Sequence, residues 1–264
     1  MYKIPNFFRP KVSCDLIRVG SKNDGGYVIP KSSINEVQVL ISFGLSDDWK
    51  FEQDFQNLSK SKVICYDHSV NKKFWIVRFI KNCIAILMLK NIKDNFKKIF
   101  TYFQYLSYFK NSNAIHEKKF IAPKDDLVFG IRPSDKSDLN EILINNSYED
   151  VFLKIDIEGS EYRILDQIVS HQKKINSLAI EFHDCDLHFD RIKKFIDQFA
   201  LDLVHIHVNN YSSINHNLNP SVIELTFSSK KHTYPINIEA IKFPIEGLDA
   251  PCNKNHIDKQ VLFY

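Results

Sequence analysis

The sequence predicts an α/β protein: a mostly parallel, Rossmann-like sheet of seven strands, ended by an antiparallel hairpin and carrying a helical insertion. Three observations carry that expectation. Short apolar runs alternate with segments of helical period along most of the chain. Three of those runs drive straight into acids: Val39-Leu-Ile-Ser-Phe-Gly-Leu-Ser-Asp-Asp48, Lys62-Val-Ile-Cys-Tyr-Asp67 and Val151-Phe-Leu-Lys-Ile-Asp-Ile-Glu-Gly-Ser-Glu161. The final two runs, Leu203–Val208 and Val222–Phe227, are joined by an Asn/Ser-rich loop with no helix in it, and a loop that short joins only antiparallel neighbours.

In order, the candidate strands are 38–43, 62–67, 126–131, 151–156, 177–182, 202–208 and 222–228. The fourth and fifth are continuous apolar runs, as expected of parallel strands buried on both faces. Candidate helices are 49–59, 74–109 (broken), 137–146, 159–171 and 188–199. Strand–helix alternation implies right-handed crossovers. Residues 72–110 depart from this plan. They hold no Gly or Pro, are rich in Phe, Tyr, Ile and Lys, and far exceed an ordinary crossover. We read one domain spanning 1–264 with a helical insertion at about 72–119, packed over a pocket or against a second subunit as in a homo-oligomer.

Composition narrows the class. The chain has 264 residues, 44% hydrophobic and 25% charged, which suits an ordinary globular protein. Its five cysteines are scattered and never form a C-x-x-C pair, which points to reduced thiols in the cytoplasm rather than a disulfide framework. The N-terminus lacks the apolar core of a signal peptide. The stretch Phe74 to Leu89 contains Arg78 and Lys81 and falls short of the roughly 20 residues that span a bilayer. Net charge is +3, yet residues 71–124 hold 12 Lys/Arg against only Asp94 and Glu117. This basic region has three readings: it binds the diphosphate of a nucleotide-activated sugar, lies on an anionic membrane surface, or packs with its lysines solvated. Nucleic acid is a poor fit, since no recognition motif accompanies the charge.

Acids at strand ends sit at the rim of the sheet, where open α/β folds bind ligands. Asp67 is placed to accept ribose hydroxyls, with a helix-capping acid as the competing account. Gly44 permits close backbone approach to a ligand. Asp47, Asp48 and Glu52 follow the first strand, where a cationic ligand group or a helix cap would use them. Asp156 and Glu158 should lie beside Glu181, His183, Asp184 and Asp186, because consecutive βαβ strands tend to neighbour one another.

The segments Arg18-Val-Gly-Ser-Lys-Asn-Asp-Gly-Gly-Tyr27, Ser42-Phe-Gly-Leu-Ser-Asp-Asp48, Phe51-Glu52, Asp67, Lys154-Ile-Asp-Ile-Glu-Gly-Ser-Glu161 and Ile180-Glu-Phe-His183 together resemble the FkbM-type methyltransferases. Ser137-Asp-Leu-Asn-Glu-Ile-Leu143 and Leu248-Asp-Ala-Pro251 are similar to further segments of that family. The resemblance covers roughly 15–250, leaves 72–110 unaccounted for, and departs where many class I methyltransferases carry G-x-G-x-G, since only Gly44 is present. It implies the class I methyltransferase fold and S-adenosylmethionine as cofactor. Its binding set would comprise Asp24, Gly25, Gly26, Tyr27, Phe43, Gly44, Leu45, Asp48, Glu52, Asp67, His68, Asp156 and Glu158.

The implied activity is O-methylation of a sugar hydroxyl, on a nucleotide-linked or polymer-linked glycan of a bacterial capsule or lipopolysaccharide. Methylating an alcohol requires removal of its proton. His183 suits a general base, with Asp156 and Glu181 beside it. Equally, Asp156, Glu181 and Asp184 offer hard oxygen ligands for Mg²⁺ that would acidify the hydroxyl. Lys154, His205, His207, Asn209 and Tyr211 are candidates for the acceptor pocket, the two histidines sharing one face of their strand. His183, Cys185 and His188 fit no structural zinc pattern. Two other classes remain: an NAD-dependent oxidoreductase, disfavoured by the absent G-x-G-x-x-G, and a catalytically inactive binding module of the same fold.

Overall fold

A computed structural model of the chain describes residues 1–237 and 241–264. Its main elements are β1 (Tyr2–Ile4), β2 (Leu16–Gly20), β3 (Gly26–Pro30), β4 (Val39–Phe43), α1 (Lys50–Ser59), β5 (Lys62–Tyr66), α2 (Lys72–Leu87), α3 (Ile92–Asn111), β6 (Ala114–Glu117), α4 (Leu139–Asn145), β7 (Val151–Ile155), α5 (Leu165–Ser170), β8 (Ile175–Phe182), α6 (Phe189–Gln198), β9 (Asp202–Val208), β10 (Ile223–Ser228) and β11 (Val261–Phe263).

Seven strands form one sheet in the order β9-β10-β8-β7-β4-β5-β6. All its pairings are parallel except those of β10, which runs antiparallel to β8 on one side and to β9 on the other. The expected hairpin is therefore present, but its second strand inserts inside the sheet and leaves β9 at the edge. This is the seven-stranded, mostly parallel α/β sheet that the sequence predicts. Every residue of β4, β7 and β8 is buried, as two-sided burial of a central parallel strand requires. Phe43, Phe152 and Phe182 are fully enclosed. Each such side chain removed from water contributes roughly 1.5–3 kcal/mol.

Two sequence expectations change, and a third, the broken helix over 74–109, holds. The third strand is Ala114–Glu117, not 126–131. Leu127 and Phe129 are fully exposed in a turn between Pro123 and Pro133, whereas the short segment Ala114–Glu117 pairs with β5 at the sheet edge. The segment 74–109 is two helices, broken where Leu89 and Asn91 take left-handed backbone. Residues 159–171 start late: Glu158 and Gly159 have positive φ, and a 3-10 turn at Glu161–Arg163 precedes α5.

Ahead of the sheet, β2 and β3 form a hairpin that delivers Tyr27 to its interior. At the other end β11 pairs with β1, laying the C-terminal segment across the β9 side. Among the described residues no helix is long and apolar enough to cross a membrane.

Candidate active site

A cavity of about 440 Å³ opens at the carboxyl ends of β4, β5 and β7. Of the predicted cofactor residues, Asp24, Gly25, Gly44, Leu45, Asp48, Glu52, Asp67, Asp156 and Glu158 line it, and so does Lys154. Ser46, Asp47, Phe51 and Ser69 complete the wall. Phe43, Tyr27, Gly26 and His68 lie outside it. Phe43 is enclosed in the core and packs edge-on against Tyr66. Gly26 is demanded by the hairpin itself, since a Cβ there would come within 1.9 Å of the Ser21 carbonyl oxygen.

Gly44 lines the cavity and has a further, structural reason beside the ligand approach its sequence position suggests. Its φ is +87°, and a Cβ would fall 1.7 Å from the Asp156 carbonyl oxygen. The glycine lets β4 and β7 close on each other, and the cavity wall is a consequence of that closure. The Asp156 amide donates to the Phe43 carbonyl at 2.9 Å in the same crossing.

Asp67 closes β5 and is fully engaged. Oδ2 accepts from the Leu45 and Ser46 amides at 2.9 and 3.0 Å. Oδ1 accepts from the Ser69 amide and hydroxyl at 2.7 and 2.6 Å, and from the Val70 amide at 3.3 Å. Burial pushes this carboxyl up, but the bonds from Ser69, Ser46 and Leu45 outweigh it and hold it below the ordinary range. Asp67 thus pins the loop after β4 to the loop after β5. A carboxylate has about four lone-pair sites. A ligand hydroxyl would enter by exchange with the Ser69 hydroxyl, the donor free to rotate away.

Asp48 accepts from the Lys50 amide at the start of α1 and from the Ser21 hydroxyl, and Asp47 pairs with Arg78 of α2. Glu52 behaves otherwise. It is 1% exposed, its Oε1 accepts from the Ser42 hydroxyl at 2.6 Å, and its Oε2 has no partner among the described residues. Burial raises its pKa despite Lys154 and Ser42. That oxygen is itself buried, so it is an unmet hydrogen-bonding demand on a residue of the cavity wall. Lys154 donates to the Gly44 carbonyl at 2.9 Å and lies 3.7 Å from Glu52 and 3.9 Å from Asp156. Burial opposes its charge, but Glu52 and Asp156 outweigh burial, and its pKa is raised.

The β7 and β8 ends meet as parallel neighbours should. His183 Nε2 lies 3.4 Å from Glu158, 3.5 Å from Glu181 and 4.0 Å from Asp156, while Nδ1 bonds to Glu161 Oε1 at 2.9 Å. Glu161 is fully buried, and its Oε1 also accepts from the Ile157 and Gly159 amides, which fixes the turn carrying Glu158. Burial works against a charged His183. The Glu161 bond and the carboxylates of Glu181, Glu161 and Asp156 outweigh it, pushing the imidazole up to about 9. The imidazole is therefore charged at neutral pH.

Glu181 is buried between Tyr27, whose hydroxyl bonds it at 3.3 Å and Asp156 at 2.9 Å, and Asn209, whose amide donates at 3.0 Å. Burial first, then Asp156 and Glu224, raise its pKa well above the carboxylate range, against His183 and Asn209, which lower it. Among the described residues two groups have ligand atoms within 4.8 Å of one another: Asp156, Glu158 and His183 at this rim, and His207, Glu224 and Cys252 away from it. Asp184 is not among them and begins a separate 3-10 turn in left-handed backbone.

The predicted acceptor histidines are buried and paired with acids, and neither lines the cavity described above. His205 and His207 are each 2% exposed, and acids from the C-terminal segment cover them. His205 pairs with Asp249 at 3.1 Å; His207 bonds to Glu224 at 3.2 Å and to Asp258 at 3.0 Å. They share a face as the strand period requires, but that face holds the tail. Tyr211 is exposed, and its amide donates to Asn209.

Two positions with no predicted role matter: Glu161, one of the acids that end the Val151–Glu161 run, and Glu224. Glu161 follows Gly159 in the motif, and its place two residues beyond the glycine was a usable signal. Glu224, an acid within an apolar strand, was another.

No family model and no curated protein matches the chain. Solved structures resemble it in fold. The Methanococcus jannaschii fibrillarin pre-rRNA processing protein is 8% identical, with 75% of this chain and 69% of that chain covered at a TM-score of 0.38. A methyltransferase from Pyrococcus furiosus is 11% identical over 75% and 77%, at 0.35. The precorrin-6y C5,15-methyltransferase of Geobacter metallireducens is 13% identical over 75% and 85%, at 0.33.

Proposed function

We propose that the chain is an S-adenosylmethionine-dependent O-methyltransferase acting on a hydroxyl of a sugar, nucleotide-linked or part of a bacterial surface glycan. The observation that carries this reading is the acid-lined cavity at the β4, β5 and β7 ends, with the unpartnered Glu52 oxygen on one wall residue and His183 adjoining Asp156 and Glu158. The cavity's volume suits a small ligand. Its donor set, with Asp48, Glu52, Asp156 and Glu158 on the wall, suits a cationic amino acid and sulfonium. Asp67 and Ser69 would receive the ribose. When bound, the cofactor supplies an electrophilic methyl group on a sulfonium.

The chain's own residues would do the rest. Lys154 and Tyr27 hold Asp156 in place from beneath. Asn209 and Tyr27 hold Glu181. His183 is the group with partial solvent access through which the acceptor proton leaves, and it must first lose its own. Any cation seated against Asp156 and Glu158 competes with the imidazolium for the same carboxylates and eases that loss. Glu161 keeps Nδ1 engaged, so Nε2 is the nitrogen presented to the acceptor.

The sugar acceptor rests on the resemblance of the Lys154–Glu161 and Ile180–His183 motifs, and the basic insertion favours a phosphate-bearing form. The test compares the surface glycan of the organism, by mass spectrometry, with and without the gene, alongside His183→Ala. Loss of a methyl group in both the deletion and the variant supports the reading; an unchanged glycan refutes it. Turnover abolished by EDTA would contradict the base mechanism stated here.

A further inference from the structure

The α2–α3 hairpin borders the site through Arg78–Asp47 and through a cleft that Thr101, Gln104 and Tyr108 share with Asp47 and Asp48, yet its outer surface is unusual. Of 28 large apolar side chains exposed among the described residues, 14 fall between Ile76 and Leu106. Leu87 and Leu89, at the turn between the helices, are 82% and 79% exposed. These positions are not scattered. Ile76, Ile80, Ile84 and Leu87 recur at the spacing that places them on one face of α2, and Ile92, Phe96, Phe100 and Phe103 do the same on α3.

Cations flank both stripes. Lys81 borders the first, Lys93 and Lys97 the second, and residues 72–111 hold nine Lys/Arg against one acid, Asp94. Between the helices runs an apolar groove of about 360 Å³, with Trp75, Phe79, Ile99 and Phe103 in its walls and Lys72 and Lys98 among its lining. A contiguous apolar surface with a basic border is the pattern of helices that lie in a membrane interface.

We propose that this hairpin seats the protein on an anionic lipid bilayer, the turn and its flanking stripes at the acyl boundary and the lysines on the headgroups. Charge decides for lipid over a second copy of the chain. Two such hairpins face to face would bring like-charged lysines together, whereas an anionic bilayer supplies apolar depth and opposite charge at once. Arg78 of α2 lines the groove and pairs with Asp47 of the cavity wall, which ties the hairpin to the rim of the cavity. The inference stands independently of methyl transfer.

The test is co-sedimentation of the full chain with vesicles of phosphatidylcholine alone or with phosphatidylglycerol added, at low and high salt. Binding is expected only to the anionic vesicles, weakened by salt, lost in L87D/L89D and reduced roughly 25-fold or more in K93E/K97E. Both variants alter exposed residues, and unchanged thermal melting by circular dichroism confirms that they fold. Absence of binding, or equal binding to neutral vesicles, overturns the proposal. So does a lipid-free dimer, seen by sedimentation velocity, that L87D/L89D dissociates while vesicle binding is absent.

Discussion

Glu161→Gln isolates the contact that sets the charge of His183. The substitution keeps the shape of a fully buried side chain and an oxygen for the Ile157 and Gly159 amides, but removes the negative charge 2.9 Å from Nδ1. Removing one partner of a buried ion pair costs about 3–5 kcal/mol when the other charge is trapped. His183 can shed its proton and keeps some solvent access, so the expected loss is lower, roughly 1–3 kcal/mol. The sign follows from linkage. The folded imidazole is pushed up to about 9, above the ordinary 6.5 of a free histidine. The pair's stabilisation is complete below 6.5 and disappears as pH rises through about 9. Urea unfolding of both proteins at several pH values should show a stability gap that is widest near pH 6 and narrows above 9. Proton NMR should show the His183 ring titrating nearer neutrality in the variant. A variant imidazole still titrating at about 9, or a gap independent of pH, would refute the role given to Glu161.

Other outcomes follow from the same geometry. Asp67→Ala leaves the partly buried Leu45 and Val70 amides without an acceptor and should cost roughly 2–4 kcal/mol in urea unfolding, with at least a tenfold loss of S-adenosylhomocysteine affinity by calorimetry. Unchanged affinity would remove Asp67 from the ligand site. Gly44→Ala meets both a left-handed φ and the Asp156 carbonyl, so a loss of roughly 3 kcal/mol or more is expected, and a variant as stable as the parent would contradict the β4–β7 closure. Because a sulfonium competes with His183 for Asp156 and Glu158, binding S-adenosylmethionine at pH 8 should release more protons than binding its neutral thioether product. Calorimetry in buffers of different ionisation enthalpy reads that difference, and equal release would refute the competition.

Much of the fold was legible where burial alone dictates sequence. β4, β7 and β8 are enclosed on both faces, so their residues read as unbroken apolar runs, and the acids that follow them mark the rim. β6 was illegible for the opposite reason. It is a four-residue edge strand alternately exposed, while the apolar Leu127 and Phe129 that drew attention away from it sit in solvent. The cavity wall was readable because it is local to strand ends. The partners of His205 and His207 were not, since Asp249 and Asp258 reach them from 44 and 51 residues away and no local period records that pairing. Gly44 was legible as a site of backbone freedom, but the second reason for it, the Asp156 carbonyl just past the end of β7, was not, since it lies 112 residues away in the chain.

A crystal of the protein soaked with S-adenosylhomocysteine tests the central claim most directly. The account predicts the nucleoside in the 440 Å³ cavity, its ribose at Asp67 and Ser69 and its amino-acid end toward Glu52 and Asp156. Density for the ligand anywhere else, or none at saturating concentration, would contradict it.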